Sequence, residues 1–175
     1  MSGFLEENVL ADNVTMIAVA AAIPYLLSAS PSAAQVPDAI AAPGSIKVLE
    51  VHAEGAQIYE CKAGDAGKLV WQFREPIAAL ILDGKTVGRH YLGPAWEISD
   101  GSVVTGKVVA RSEGATAKDI PWLKLDAASH RGTGQLSGVS IIQRLNTKGG
   151  AASGDCAAAG TFLSVPYSSD YVFLK

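Results

Sequence analysis

Between positions 35 and 175, no stretch of eleven or more residues sustains the i, i+3, i+4, i+7 recurrence of apolar side chains with which a helix buries one face. Apolar residues alternate instead, or come in short runs between clusters of Gly, Pro, Asp and Ser, a spacing that suits strands. The pattern predicts candidate strands at 45–51, 56–62, 68–74, 78–83, 94–98, 102–111, 121–127, 138–146, 161–165 and 170–174. Many short strands with closely spaced turn signals favour an all-β, mainly antiparallel β-sandwich or small β-barrel in a single domain.

Alternation also assigns faces. Leu69, Trp71 and Phe73 share one side of their strand, which predicts a core face, while Val70, Gln72 and Arg74 take the wetter side. At the carboxyl end Tyr171 and Phe173 face one way and Val172 and Leu174 the other, so both sides of that strand are expected to be buried. Asp83-Gly84-Lys85 and Asp100-Gly101-Ser102 read as hairpin turns that tolerate positive φ. Residues 147–160 have almost no large side chain to bury and read as a mobile loop.

Charge narrows the partners. The chain carries 14 basic and 17 acidic side chains, and Glu6, Glu7 and Asp12 lie in the first 34 residues, which have no Lys or Arg. The body from 35 onward is therefore formally neutral and has no basic run, which argues against nucleic acid and against a polybasic membrane-surface domain.

Those first 34 residues read as an extension followed by a signal peptide. Met16 to Leu27 is almost wholly apolar and is followed by small residues, with Ser32 and Ala34 placed for a cut between Ala34 and Gln35. The run is short for a bilayer span and Pro24 interrupts it, so no permanent membrane span is expected in the mature protein. The acidic start departs from the positive beginning of a signal peptide, and initiation at Met16 would relieve part of that conflict. The expected location is outside the cytoplasm, either periplasmic or extracellular, with residues 35–175 as the mature domain.

Cys61 and Cys156 have no C-x-x-C spacing, and in an exported chain they most simply pair with each other. A loop of that length is worth about 4–5 kcal/mol in the chain-entropy model. The alternative is two buried free thiols. Neither cysteine has neighbours that would complete a thiolate metal site.

Three segments concentrate unusual residue types: Gly88 to Glu97 (GRHYLGPAWE), Ile120-Pro-Trp122-Leu, and Val165 to Phe173 (VPYSSDYVF). With Asp100-Gly-Ser102, Ile142-Gln-Arg144-Leu-Asn146-Thr147, Gly149-Gly150 and Cys156, they resemble the exported bacterial and fungal family known as the domain of unknown function 3455, over about Pro37 to Phe173. The resemblance implies a secreted all-β domain with a paired cysteine and no agreed catalytic residues. Lys124 departs from it by breaking the apolar run expected after Trp122. Gly132 to Ser137 (GTGQLS) ends in Ser where a dinucleotide fingerprint needs Gly or Ala, and no βαβ unit surrounds it. Gly134-Gln-Leu-Ser137-Gly138 has the wrong spacing for a nucleophile elbow.

The candidate ligand-binding residues are His90, Tyr91, Trp96, Glu97 and Trp122, with rings that stack on a sugar or another flat ligand and a His-Glu pair that orients it. The structural alternative places His90 against backbone carbonyls and Trp96 and Trp122 in core layers. Tyr167, Asp170 and Tyr171 read as structural, with a tyrosine hydroxyl satisfying loop backbone. The functional expectation is an exported binding or structural module for a small molecule, a glycan or another cell-envelope component, with no cofactor. The alternative is a metalloprotein or metal-dependent enzyme holding Zn, Cu or Fe at His90 and Glu97 with help from His52 or His130.

Overall fold

The computed structural model describes residue 3 and residues 35–65 and 67–175; the apolar segment 16–27 lies outside the described residues. Among the described residues eight antiparallel strands follow one another in chain order and close into a barrel: β1 (Lys47–Ala63), β2 (Leu69–Leu82), β3 (Lys85–Tyr91), β4 (Ala95–Ile98), β5 (Val103–Ser112), β6 (Trp122–Arg131), β7 (Ile141–Gly149) and β8 (Phe162–Leu174). β8 returns to pair with β1 from Lys47↔Leu174 to Glu60↔Phe162, so the sheet has no free seam. Of the two architectures expected, the barrel is the one formed.

The expected ten strands reduce to eight for an identifiable reason. Segments 45–51 and 56–62 run together through Gly55 as β1, 68–74 and 78–83 through Pro76 as β2, and 161–165 and 170–174 through Pro166 as β8. Proline removes a ladder donor and is tolerated where a strand has no neighbour on that side. β2 begins to pair with β3 only at Ala78, and β7 stops pairing with β8 at Tyr167, so Pro76 and Pro166 both stand just past a shorter neighbour. Gly55 lies opposite Ala78, where a Cβ would collide with the Ile77 carbonyl, and only glycine allows so close an approach. β3, which the sequence reading passes over, follows the Asp83-Gly84 hairpin with both turn residues at positive φ.

Two apolar layers result. The interior holds Val51, Leu80, Trp96, Leu125, Tyr171 and Phe173 among others. A second cluster lies outside the ring, where Ile40 from a 3-10 turn (Asp38–Ile40) packs on Trp122, Leu145, Val172 and Leu174. The carboxyl-terminal strand is thus buried on both sides, as its pattern predicts. Lys124, odd by sequence, points to this outer face and donates from Nζ to the Ala41 carbonyl at 3.1 Å, while Gln143 Nε2 donates to the Ile40 carbonyl at 2.7 Å. Together they hold the segment 36–42 as a strap across the barrel wall.

The ends of the barrel differ. One is plugged by a second 3-10 turn (Gln135–Gly138), whose Leu136, with Val139 just after it, enters the interior cluster. Asp100 fixes the plug by accepting from the Ser102 hydroxyl and backbone and, at 2.8 Å, from the Gln135 N–H; these bonds hold its carboxyl below the usual range. The other end is an open mouth with an uneven wall, because β1, β2 and β8 span 17, 14 and 13 residues whereas β3 and β4 span 7 and 4.

A Cys61–Cys156 disulfide joins β1 to the β7–β8 connection at the mouth. The loop expected at 147–160 starts only after Gly149, and hydrogen bonds tie it to β1 and β2: Trp71 N–H to Gly154, Cys156 N–H to Leu69, and Cys61 N–H to Thr161. Among the described residues no helix is long and apolar enough to cross a membrane.

Candidate functional site

β3 and β4 form a tight hairpin around Gly93-Pro94, and its register decides what the candidate residues can do together. His90 pairs with Trp96, and Arg89 pairs with Glu97. Directly opposed residues share a face and successive residues alternate, so His90 and Trp96 point into the barrel while Arg89 and Glu97 point out. The expected His90–Glu97 convergence does not occur, because the two occupy opposite faces.

Inside, the His90 and Trp96 rings stack at 4.5 Å, with Tyr171 set edgewise to both. His90 is buried, and its Nδ1 donates to the Ala95 carbonyl at 2.9 Å, which leaves Nε2 as the unprotonated nitrogen. Burial, opposed by that hydrogen bond and reinforced by the charge of Arg144, lowers its pKa to about 3, so the ring is neutral at physiological pH. Outside, Tyr91 and Arg89 both donate to Glu97 at 3.0 Å, and Arg131 approaches it at 3.9 Å. The bonds from Arg89 and Tyr91 hold Glu97 below the usual carboxylate range, and burial followed by the Glu97 bond raises Tyr91. This outer cluster is a satisfied ion-pair group on the barrel wall.

Trp122 belongs to neither group. It lies in the outer cluster under the strap, only 9% exposed, and its ring packs on apolar neighbours. His52 bonds Asp170 at 2.8 Å, and His130 bonds the Val139 carbonyl at 2.8 Å, so neither joins His90. Among the described residues no group of three or more His, Cys, Asp or Glu side chains is placed to hold a metal ion.

The mouth opens into a cavity of about 600 Å³. Buried His90, Trp96, Leu125 and Tyr171 line it, and the exposed Phe73, Leu92 and Val108 stand at its rim. Phe73 is therefore not the core residue its alternation suggests: it is 54% exposed and meets Tyr59 edge to face at 5.9 Å. Eight strands give an interior that side chains can just fill or that can hold one small molecule, and here it is filled at the plugged end only.

Sequence reasoning missed the contributions from β1 and β7. Gln57 and Tyr59 from β1 and Arg144 from β7 also line the cavity. Tyr59 donates to the Gly150 carbonyl at 2.7 Å, and so makes the loop-backbone bond expected of the carboxyl-terminal tyrosines. The Tyr167 and Tyr171 hydroxyls lie 3.4 Å apart inside the barrel, and burial, before any other influence, pushes the Tyr167 phenol up. Two buried donors of cavity-lining residues, Trp96 Nε1 and Gln57 Nε2, have no hydrogen-bond partner of acceptable geometry, although Gln57 lies close enough to Tyr167 to favour its ionised form slightly. The one textual signal for Arg144 is its phase: it shares the inward face with Ile142.

A family model described as protein of unknown function (DUF3455) matches residues 41–175. The chain belongs to this family. No curated protein and no solved structure matches it. In this DUF3455 chain the matched region takes in the whole barrel and both cysteines, and begins inside the strap.

Proposed function

We propose that the protein binds one small, largely apolar molecule in the open end of its barrel, outside the cytoplasm. The cavity carries this reading. It is of a size usual for small-molecule sites, it is walled mainly by apolar and aromatic side chains, and it keeps a few inward polar groups that can orient a guest. Sugar hydroxyls would meet few partners among Leu92, Val108, Ile120, Leu123 and Leu125, which makes a glycan the poorer fit. His90 and Trp96 serve the site as walls, and His90, being neutral, offers an acceptor without bringing charge.

The apolar segment 16–27, the small residues before Gln35 and the disulfide together support export, since oxidising compartments are where such pairs persist. The binding test is a titration with N-phenyl-1-naphthylamine, a neutral dye that brightens in apolar surroundings. The wild type is expected to take up one dye per chain saturably, and Val108→Trp, which places a large ring across the rim, to weaken uptake by about tenfold or more. Absence of saturable uptake by the wild type overturns the reading.

A further inference from the structure

The polar groups of the cavity are unevenly distributed by charge. Two of its lining residues are arginines, Arg144 and Arg111, and no Asp, Glu or Lys lines it. Arg144 stands on β7 opposite Leu123 and Tyr171, both members of the interior cluster, so it projects into the barrel. Its Nε and Nη2 donate to the Pro121 carbonyl at 3.1 and 2.8 Å. That bond anchors the guanidinium plane without neutralising it. None of the ion pairs among the described residues includes Arg144 or Arg111.

A half-buried guanidinium without a counter-charge is costly in a barrel lined by Leu, Trp and Tyr. The other three arginines, Arg74, Arg89 and Arg131, each lie against a carboxylate on the outer wall. The electrostatic effect of Arg144 is felt nearby, where it disfavours protonation of His90.

We infer that the natural guest is an amphipathic anion, an apolar body carrying a carboxylate or similar oxyanion head that Arg144 binds inside the barrel while Arg111 attracts it at the rim. This rests on the cavity being a binding site. A planar guanidinium recognises a carboxylate through parallel N–H donors, and the fixed Arg144 plane is prepared for that contact.

The test compares three ten-carbon probes on the wild-type protein at neutral pH by calorimetry or dye displacement: decanoate, decanol and decyltrimethylammonium. Decanoate is expected to bind about tenfold or more tighter than decanol, and the cation weakest. In Arg144→Gln the preference for decanoate over decanol should collapse toward one, and Arg144→Lys, which keeps the charge, should retain part of it. Decanol binding as tightly as decanoate in the wild type overturns the anion inference and leaves the apolar cavity reading standing. Failure of all three probes to bind overturns both. The wild-type comparison decides the matter even if Arg144→Gln does not fold.

Discussion

His90 is held neutral by its surroundings. Its folded pKa of about 3 lies below the unfolded value near 6.5, so the unfolded chain binds a proton that the folded one refuses across that interval. The His90 contribution to stability is therefore fully present above about pH 6.5 and is lost progressively as pH falls toward the folded pKa. Melting temperature measured from pH 7 to 4 should decline in the wild type, and His90→Gln should flatten that decline. An equal decline in both would remove the proton linkage from His90. Asp119 contributes at more acid pH and with the depressed sign. It accepts from Gly149 and Thr116 and thereby fixes the β5–β6 connection beside the mouth, a contribution present above about pH 4 and lost as pH falls through its lowered pKa.

The strap shows how an element without regular structure is made specific. Ile40 is fully buried on the outer wall, and side chains of β6 and β7 donate to the Ala41 carbonyl and to its own. Ile40→Ala should cost about 2–4 kcal/mol in denaturant unfolding, yet leave dye uptake unchanged because the strap lies on the opposite side of the wall from the cavity. The all-β class, the Asp83-Gly84 hairpin, the two-sided β8 and the cysteine pair were readable from the chain because alternation and turn chemistry are local signals. Strand continuity was not readable. Pro76 and Pro166 look like breaks until one knows where β3 and β7 end, and Gly55 until one sees how closely β2 passes it, and both are properties of the neighbours. The candidate site divided for a similar reason: a period of two separates His90 and Trp96 from Tyr91 and Glu97, and only the register across Gly93-Pro94 shows which pair faces inward. Arg144 and Gln57 lie far from that hairpin in sequence, so no short motif links them to it.

At the scale of the whole barrel, Leu136 and Val139 close one end from within and the mouth is tied by the disulfide and the β7–β8 connection. Reduction, or Cys61→Ser under oxidising conditions, should lower stability by about 2–5 kcal/mol in thermal or denaturant unfolding, and the absence of any shift would mean that the bond constrains nothing. Ile46 and Lys175 exchange backbone hydrogen bonds at the plugged end, which leaves the two ends of the ring side by side. The barrel consequently has no privileged starting point. A circularly permuted chain that joins those ends and opens at Asp83-Gly84 would keep the β1–β8 and β3–β4 ladders and the mouth unchanged, so the order in which the strands leave the ribosome is a feature of the gene and not a requirement of the fold.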